Sequence, residues 1–285
     1  KDWGFEGSIN YNGKIGEVQY HVGGNITFAR NELTDYGGTS VLKSGYTSTQ
    51  QGYSLNSIFG LRYGGKIQNE EMLKAYLAKY YPNNGIGMPS NLRVGDNMYC
   101  DENGDGVLDY RDYIYLGSDT PEISYSFNAG ASWKGIDFNI VFQGSANRFV
   151  YRGIDAWTVP FRSLYTNSTT SSIGNTWSET NPNAYYNPYT TDANIVSYNY
   201  QANSLTAQDG RYIRLKNITV GYNLPASVLK KLGFVNAARI YFTGEDLWES
   251  TKITDGWDPE AKRNASDVSR YPFTRNFTFG LNLTF

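Results

Sequence analysis

The chain has 285 residues, room for one or two domains with a sizeable core, and carries 25 Tyr, 14 Phe and 30 Gly but only 3 Met. With a mean hydropathy of -0.52, this composition suits strands and polar loops better than packed helices. A net charge of -2 and a pI near 5.6 leave no basic stripe to release counterions from nucleic acid, and the one cysteine, Cys100, excludes an internal disulfide and a zinc cluster. No apolar run approaches the ~18 to 20 residues of a membrane helix, so a membrane-spanning form of this chain must be a barrel. The sequence opens on Lys1 without an initiating Met or signal peptide and reads as a mature or truncated piece.

From the start, Trp3, Phe5, Ile9 and Tyr11 alternate with Gly4, Glu6, Ser8 and Asn10, the period of 2 that marks a strand. Asn12-Gly13-Lys14-Ile15-Gly16 reads as a hairpin turn. The return strand places Val18, Tyr20, Val22, Ile26 and Phe28 on one face and Gln19, His21, Gly23, Asn25 and Thr27 on the other. His21, the only histidine, falls on the polar face with no nucleophile motif beside it, and reads as a hydrogen-bonding wall residue, not a catalyst.

Residues 31–121 lose the alternation and are too long for a turn; connections of this length are usually functional. Within them Asn69 caps an amphipathic helix to Tyr80, with Glu70 and Glu71 in its first turn and Met72, Leu73, Tyr76, Leu77 and Tyr80 packing on the rest of the loop. Asp101, Asn103, Asp105, Val107, Asp109 and Asp112 then stand at positions 1, 3, 5, 7, 9 and 12 of a calcium loop, with Gly106 at the bend. Ca2+ is a hard cation that takes six to eight oxygens, and alternate residues of a tight loop turn theirs inward. Asp112 is shorter than the usual bidentate Glu, which points to weaker binding. The competing reading is an Asx-rich turn held by its own hydrogen bonds. With no open coordination position and no general base, the ion would stiffen the loop without catalysing a reaction.

Ile123 to Trp133 alternates again, Lys134-Gly135 makes a tight turn, and Phe138, Ile140 and Phe142 begin the strand back. After a second polar segment, 148–210, the stretch Tyr212 to Leu224 changes parity, which a bulge near Lys216-Asn217 reconciles. Pro225 to Leu232 reads as a short helix stopped by Gly233, and Arg239 to Trp248 as a strand. After a polar loop the chain ends on Phe277, Phe279, Leu281, Leu283 and Phe285 against Thr278, Gly280, Asn282 and Thr284. A final strand ending on an aromatic is similar to the closing strand of bacterial outer-membrane barrels; the alternative is a sandwich strand. About seven strands, joined alternately by short and long connections, predict an all-β fold, a transmembrane antiparallel barrel fragment. Its long loops, 31–121, 148–210 and 249–274, would be extracellular. Trp3, Tyr11, Trp133, Tyr222 and Phe285 are expected as outward aromatics at the membrane interface, near the periplasmic ends.

Several stretches, in this order and spacing, resemble the C-terminal part of the SusC/RagA-type TonB-dependent outer-membrane transporters of the Bacteroidetes. They are Asp101 to Asp109, Gly117 to Asn128, Trp133 to Phe138 with Phe142-Gln143-Gly144, Arg211 to Pro225, Gly244-Glu245-Asp246-Leu247 and Asp258-Pro259-Glu260. The resemblance covers nearly the whole chain. It implies a 22-stranded plugged barrel in outer-membrane lipid that imports glycans or oligopeptides, with a SusD-like lipoprotein as lid and TonB as the energy source. No plug domain or TonB-binding segment is recognisable here, so the remaining barrel and plug segments are expected elsewhere, as partners, and TonB would act through that missing part.

The second loop is crowded with aromatics. Trp157, Phe161, Tyr165, Trp177, Tyr186 and Tyr189, with Trp257 of the third loop, are candidates for contact with the lid or the substrate. Interface contact is favoured for most of them, and glycan over peptide as cargo. The alternative function is a soluble, secreted, calcium-binding β-protein that binds glycans; an enzyme is the weakest reading, because no acid/base constellation stands at a recognisable spacing.

Overall fold

The computed structural model describes residues 1–37, 42–44, 47–81, 83–151, 168, 170–253, 258–260 and 273–285. Each alternating stretch forms a long strand: β1 (Asp2–Ile15), β2 (Val18–Asn31), β3 (Ile123–Trp133), β4 (Ile136–Ala146), β5 (Tyr212–Asn223), β6 (Ala237–Thr251) and β7 (Asn276–Thr284). These seven strands pair antiparallel in chain order into one up-and-down sheet. Short connections lie at one end of the sheet and long ones at the other, as the sequence predicts.

The first turn differs from expectation. Asn12 and Gly13 stay in the ladder opposite His21 and Tyr20, and the chain reverses at Gly16-Glu17 instead. The reason is steric: a Cβ on Gly13 would lie 2.4 Å from Tyr20 Cζ, so this glycine serves as a seat for a ring, while Gly16 supplies the positive φ of 60°. Lys134 and Gly135, at φ 48° and 87°, make the expected two-residue hairpin. α3 (Ala226–Leu232), entered from Pro225 and closed by Gly233, joins β5 to β6. The bulge also falls where parity requires it: Leu215 pairs with Trp248 and Asn217 with Glu245, leaving Lys216 on one strand and Asp246-Leu247 on the other outside the ladder. Lys216 Nζ and Asp246 Oδ1 meet at 3.1 Å across that gap.

Above the long-connection end, the first and second loops fold into one body. α1 (Glu70–Tyr80) starts at Asn69, whose side chain accepts from the Met72 N–H at 2.8 Å. Its buried stripe, Leu73, Tyr76 and Tyr80, packs with Leu61, Ile67, Tyr99 and Leu108. A short helix that the sequence reading missed, α2 (Ala193–Asn199), comes from the second loop and inserts Tyr198 into that same core. Asn199 fastens the two loops: its side-chain carbonyl accepts from the Asn97 N–H at 2.8 Å, and its amide donates to Asp96.

Lys66 is an anomaly in this core. It is 3% exposed, and its ammonium reaches Asn97 Oδ1 at 3.3 Å. Burial pushes its pKa down to about 8, and the Asp96 charge only partly opposes the fall. Because the folded value lies below the ordinary 10.5, the folded cap binds fewer protons than the unfolded one across pH 8 to 10.5, and its stability rises with pH through that window. Lys66→Met is expected to stabilise the cap at pH 7 by up to about 3 kcal/mol and to flatten this dependence. Hydrogen exchange over 61–99 in the whole protein at pH 7 and pH 10 checks it; an unchanged slope would refute the assignment.

Candidate functional site: a two-faced wall under a folded cap

Every wall strand presents apolar residues to one side and polar residues to the other, and the pairing register keeps each side in phase across the sheet. The apolar side stands bare: Phe5 is 60% exposed, Ile9 74% and Phe279 81%. Phe5 stacks on Phe28 at 5.6 Å, and Phe242 meets Phe279 at 5.2 Å. Among the described residues no second sheet covers this face, as a sandwich requires. An exposed apolar face of this size calls for lipid.

Tyr11, Trp133, Tyr222 and Phe285 lie on the outward face toward the short-turn end: Trp133 adjoins the Lys134-Gly135 turn, Tyr222 pairs with Ile136, and Phe285 stacks on Phe234 at 6.1 Å. Trp3 corrects the expectation. It pairs with Arg30 at the opposite end of the β1–β2 hairpin, where Lys1 Nζ lies 5.3 Å and Arg30 Cζ 5.9 Å from its ring centroid. The reason is direction: β1 runs toward the short turn, so a residue at its start lies at the far end of the hairpin from Tyr11.

On the polar side near the short turns, Asn12, Lys14, Gln19, His21, Asp137 and Asn139 line an open hollow of about 640 Å³. His21 Nε2 lies 3.2 Å from Asn139 Oδ1, and Arg239 pairs with Asp137 at 2.5 Å. Gly221 makes that pair possible, since a Cβ there would sit 2.4 Å from the Arg239 guanidinium and 2.6 Å from the Asp137 carboxylate.

At the other end of the same face, Arg214 is fully buried. Its guanidinium engages Glu249 at 2.5 Å, Asp258 at 3.1 Å and Glu260 at 3.3 Å, and lies 4.1 Å from the Phe273 ring. Lys216 reaches Glu260 at 3.1 Å. A buried cation persists only when carboxylates surround it in this way. The sequence reading held these residues only as parts of a resemblance; the parity change at Lys216 hid the face to which Arg214 belongs.

In the 101–112 loop the side chains fold onto their own backbone. Asp101 accepts from the Gly104 and Gly106 N–H groups at 2.7 and 2.9 Å, Asn103 from Asp105 at 2.8 Å, and Asp105 from Val107 at 2.9 Å. Asp112 is buried and accepts from Glu102 and Asp109. Arg111 bridges Asp105 at 3.0 Å and Asp109 at 2.8 Å, and its hydrogen bonds hold the Asp109 carboxyl below the usual range. Among the described residues no three acidic, thiol or imidazole groups converge to hold a metal.

Of the aromatic candidates, Trp157, Phe161, Tyr165 and Trp257 lie outside the described residues. Tyr186 is 3% exposed, packed with Val196 and Tyr200, so it serves the core of the cap and offers no surface to a partner. Tyr189 is exposed, and Trp177 is half-buried over Gly95, where a Cβ would lie 2.6 Å from the ring.

Bare apolar face, polar face and cap together define a segment of a transmembrane β-barrel wall with its loops. No family model matches the sequence. Over 249 residues, 83% of this chain, it is 30% identical to TonB-dependent receptor P3 of Formosa agariphila. Over its full length it is 24% identical to TonB-dependent receptor SusC of Bacteroides thetaiotaomicron. The chain spans about a quarter of the length of these curated relatives, 23% and 26%. Its fold superposes along its whole length on a chain of the RagAB peptide transporter, with a TM-score of 0.71 at 20% identity, covering 29% of that chain. The chain belongs to the SusC/RagA-type TonB-dependent receptors of the outer membrane.

Gly221→Ala is expected to lower the receptor's resistance to heat by about 1 to 3 kcal/mol, because the added methyl collides with both members of the Asp137–Arg239 pair. Arg239→Gln, which loses a partly exposed pair without overpacking, should cost under about 1 kcal/mol. Heat-modifiable gel mobility of the extracted receptor ranks the two, and the reverse order would refute the steric reading.

Proposed function

We propose that this chain supplies wall and surface cap to a TonB-energised importer of oligomeric nutrients, glycans or oligopeptides, that works with a SusD-like lipoprotein as lid. The observation that carries the reading is the wall itself, apolar to lipid and polar to the lumen, with a folded cap at one end. Relatives named as receptors, and a fold neighbour named as a peptide transporter, support transport over catalysis. The long connections at the cap end, 31–121, 148–210 and 249–274, are read as extracellular, where a lid would meet Trp177 and Tyr189. Cap aromatics argue less for sugar stacking than their number in the sequence does, since Tyr76, Tyr99, Tyr186, Tyr198 and Tyr200 are buried in its core. Cells lacking the receptor are expected to lose uptake of either fluorescent oligosaccharides or fluorescent oligopeptides, and a protonophore should reproduce that loss in cells that retain it. Uptake of both classes unchanged in both conditions would overturn the proposal.

Calcium in the 101–112 loop belongs to the same reading. The Asx-type hydrogen bonds already give the loop its inward bend, and Arg111 occupies the acids at positions 5 and 9, where it acts as an internal competitor of the ion. If the ion is a ligand, titration calorimetry on chelator-treated receptor should show binding that Arg111→Gln strengthens about tenfold, equivalent to ~1.4 kcal/mol, and that Asp101→Asn weakens. Absence of heat in both the wild type and Arg111→Gln would remove calcium from the account.

A further inference from the structure

We propose that Arg148 and Arg214, with Lys216 beside the latter, form a latch that clamps the Asp258-Pro259-Glu260 elbow to the lumen wall and so couples this elbow to the ends of the first and second connections.

Arg148 stands at the junction of all three. It opens the second connection, two residues after the end of β4. Its Nε donates to the Asp119 carbonyl at 3.0 Å and its guanidinium approaches the Asp119 carboxylate at 3.6 Å, at the end of the first connection. The same guanidinium donates to the Pro259 carbonyl in the third. Arg214 holds the elbow from the wall side, through Asp258 and Glu260, while Glu249 of β6 fixes the guanidinium itself. Pro259, between the two acids, is fully buried. The elbow keeps its own shape, because the Glu260 N–H donates to Asp258 Oδ1 at 2.7 Å. It therefore detaches as a unit.

The clamp is built to let go on one side only. Arg214 is inaccessible, whereas Glu249 and Glu260 are 31% and 28% exposed. Arg214 Nη2 donates to Asp258 Oδ1 at 3.1 Å, but Arg214 Nη1 and Glu260 Oε1, 3.3 Å apart, make no hydrogen bond, so half of the guanidinium's hold on the elbow is electrostatic only. Freeing the elbow leaves Arg214 with Glu249 as partner and leaves the β5–β6 ladder untouched. Releasing Arg148 from Pro259 then removes a tie, seen among the described residues, between this elbow and the other two connections.

The test uses the full-length receptor in detergent, followed by hydrogen exchange. Asp258→Asn with Glu260→Gln alters two partly exposed acids of the elbow and no ladder residue. Exchange should quicken at least tenfold, equivalent to about 1.4 kcal/mol, at 116–122 and 207–211 as well as at 258–260, with 217–223 unchanged. Faster exchange confined to 258–260, or none, would overturn the latch. Should 217–223 also lose protection, Arg148→Gln decides alone: it leaves Arg214 and its acids in place, and must quicken both 116–122 and 258–260. No change at 258–260 in that variant would equally overturn it.

Discussion

A strand that crosses lipid has no water to satisfy its N–H and C=O groups, so every one of them must be paired within the sheet. That constraint reduces the wall to a single layer in which each residue faces either hydrocarbon or the lumen, and nothing shields one side from the other. The outcome is a sheet that leaves large apolar side chains such as Phe279 and Ile9 widely exposed, an inversion of soluble packing. It also explains where the ladder is allowed to break. At the bulge, Lys216 and Asp246 lie outside the ladder, and they face each other and Glu260 on the lumen side, so the local loss of pairing is met by charge where charge is tolerated.

The cap solves the opposite problem. Connections as long as 32–122 cannot draw on the wall's ladder, and they satisfy their backbone by building a core of their own. Asparagine and tyrosine do much of this. Asn97, Asn187, Asn199 and Asn203 are all buried, each giving or taking hydrogen bonds with backbone groups of the connections, and the Tyr76 and Tyr198 hydroxyls meet at 2.9 Å inside the apolar cluster. A loop sequence rich in aromatic and amide residues therefore describes a small folded body as readily as a binding surface. The two uses differ only in which way the rings point.

This is also the line between what was legible in the sequence and what was not. Period-2 alternation exposes wall strands directly, because the face of each residue follows from its parity; β7 could be drawn from Phe277 to Thr284 without a structure. Parity carried the bulge as well. The turn signal, by contrast, misplaces the reversal at Asn12-Gly13, where the same dipeptide that favours a turn also favours a seat beneath Tyr20, and the distinction depends on a residue across the hairpin. α2 left little trace: Ala193 to Asn199 is two turns long, rich in residues of modest helix propensity, and marked only by Asp192, whose carboxylate accepts from Asn194 and Ile195. Burial of Tyr186 was beyond reach, since it depends on two loops folding against each other.

Wall and cap meet under a further restriction. Charge on the lipid face is confined to its margins, as with Arg30 beside Trp3, so a strong polar attachment between the two bodies has to lie on the lumen side of the rim. Arginine suits that position better than lysine. Its planar fork lets Arg214 address Glu249, Asp258 and Glu260 while lying against Phe273, and its charge does not titrate away on burial. Lys66, buried in the cap with an amide oxygen as its hydrogen-bond acceptor and the Asp96 charge only partly compensating, shows the contrast: there burial is answered by a falling pKa. Where the structure must keep a charge inside and hold other segments with it, it uses guanidinium and surrounds it; the sites of Arg148 and Arg214 are the places where the fold commits to that arrangement.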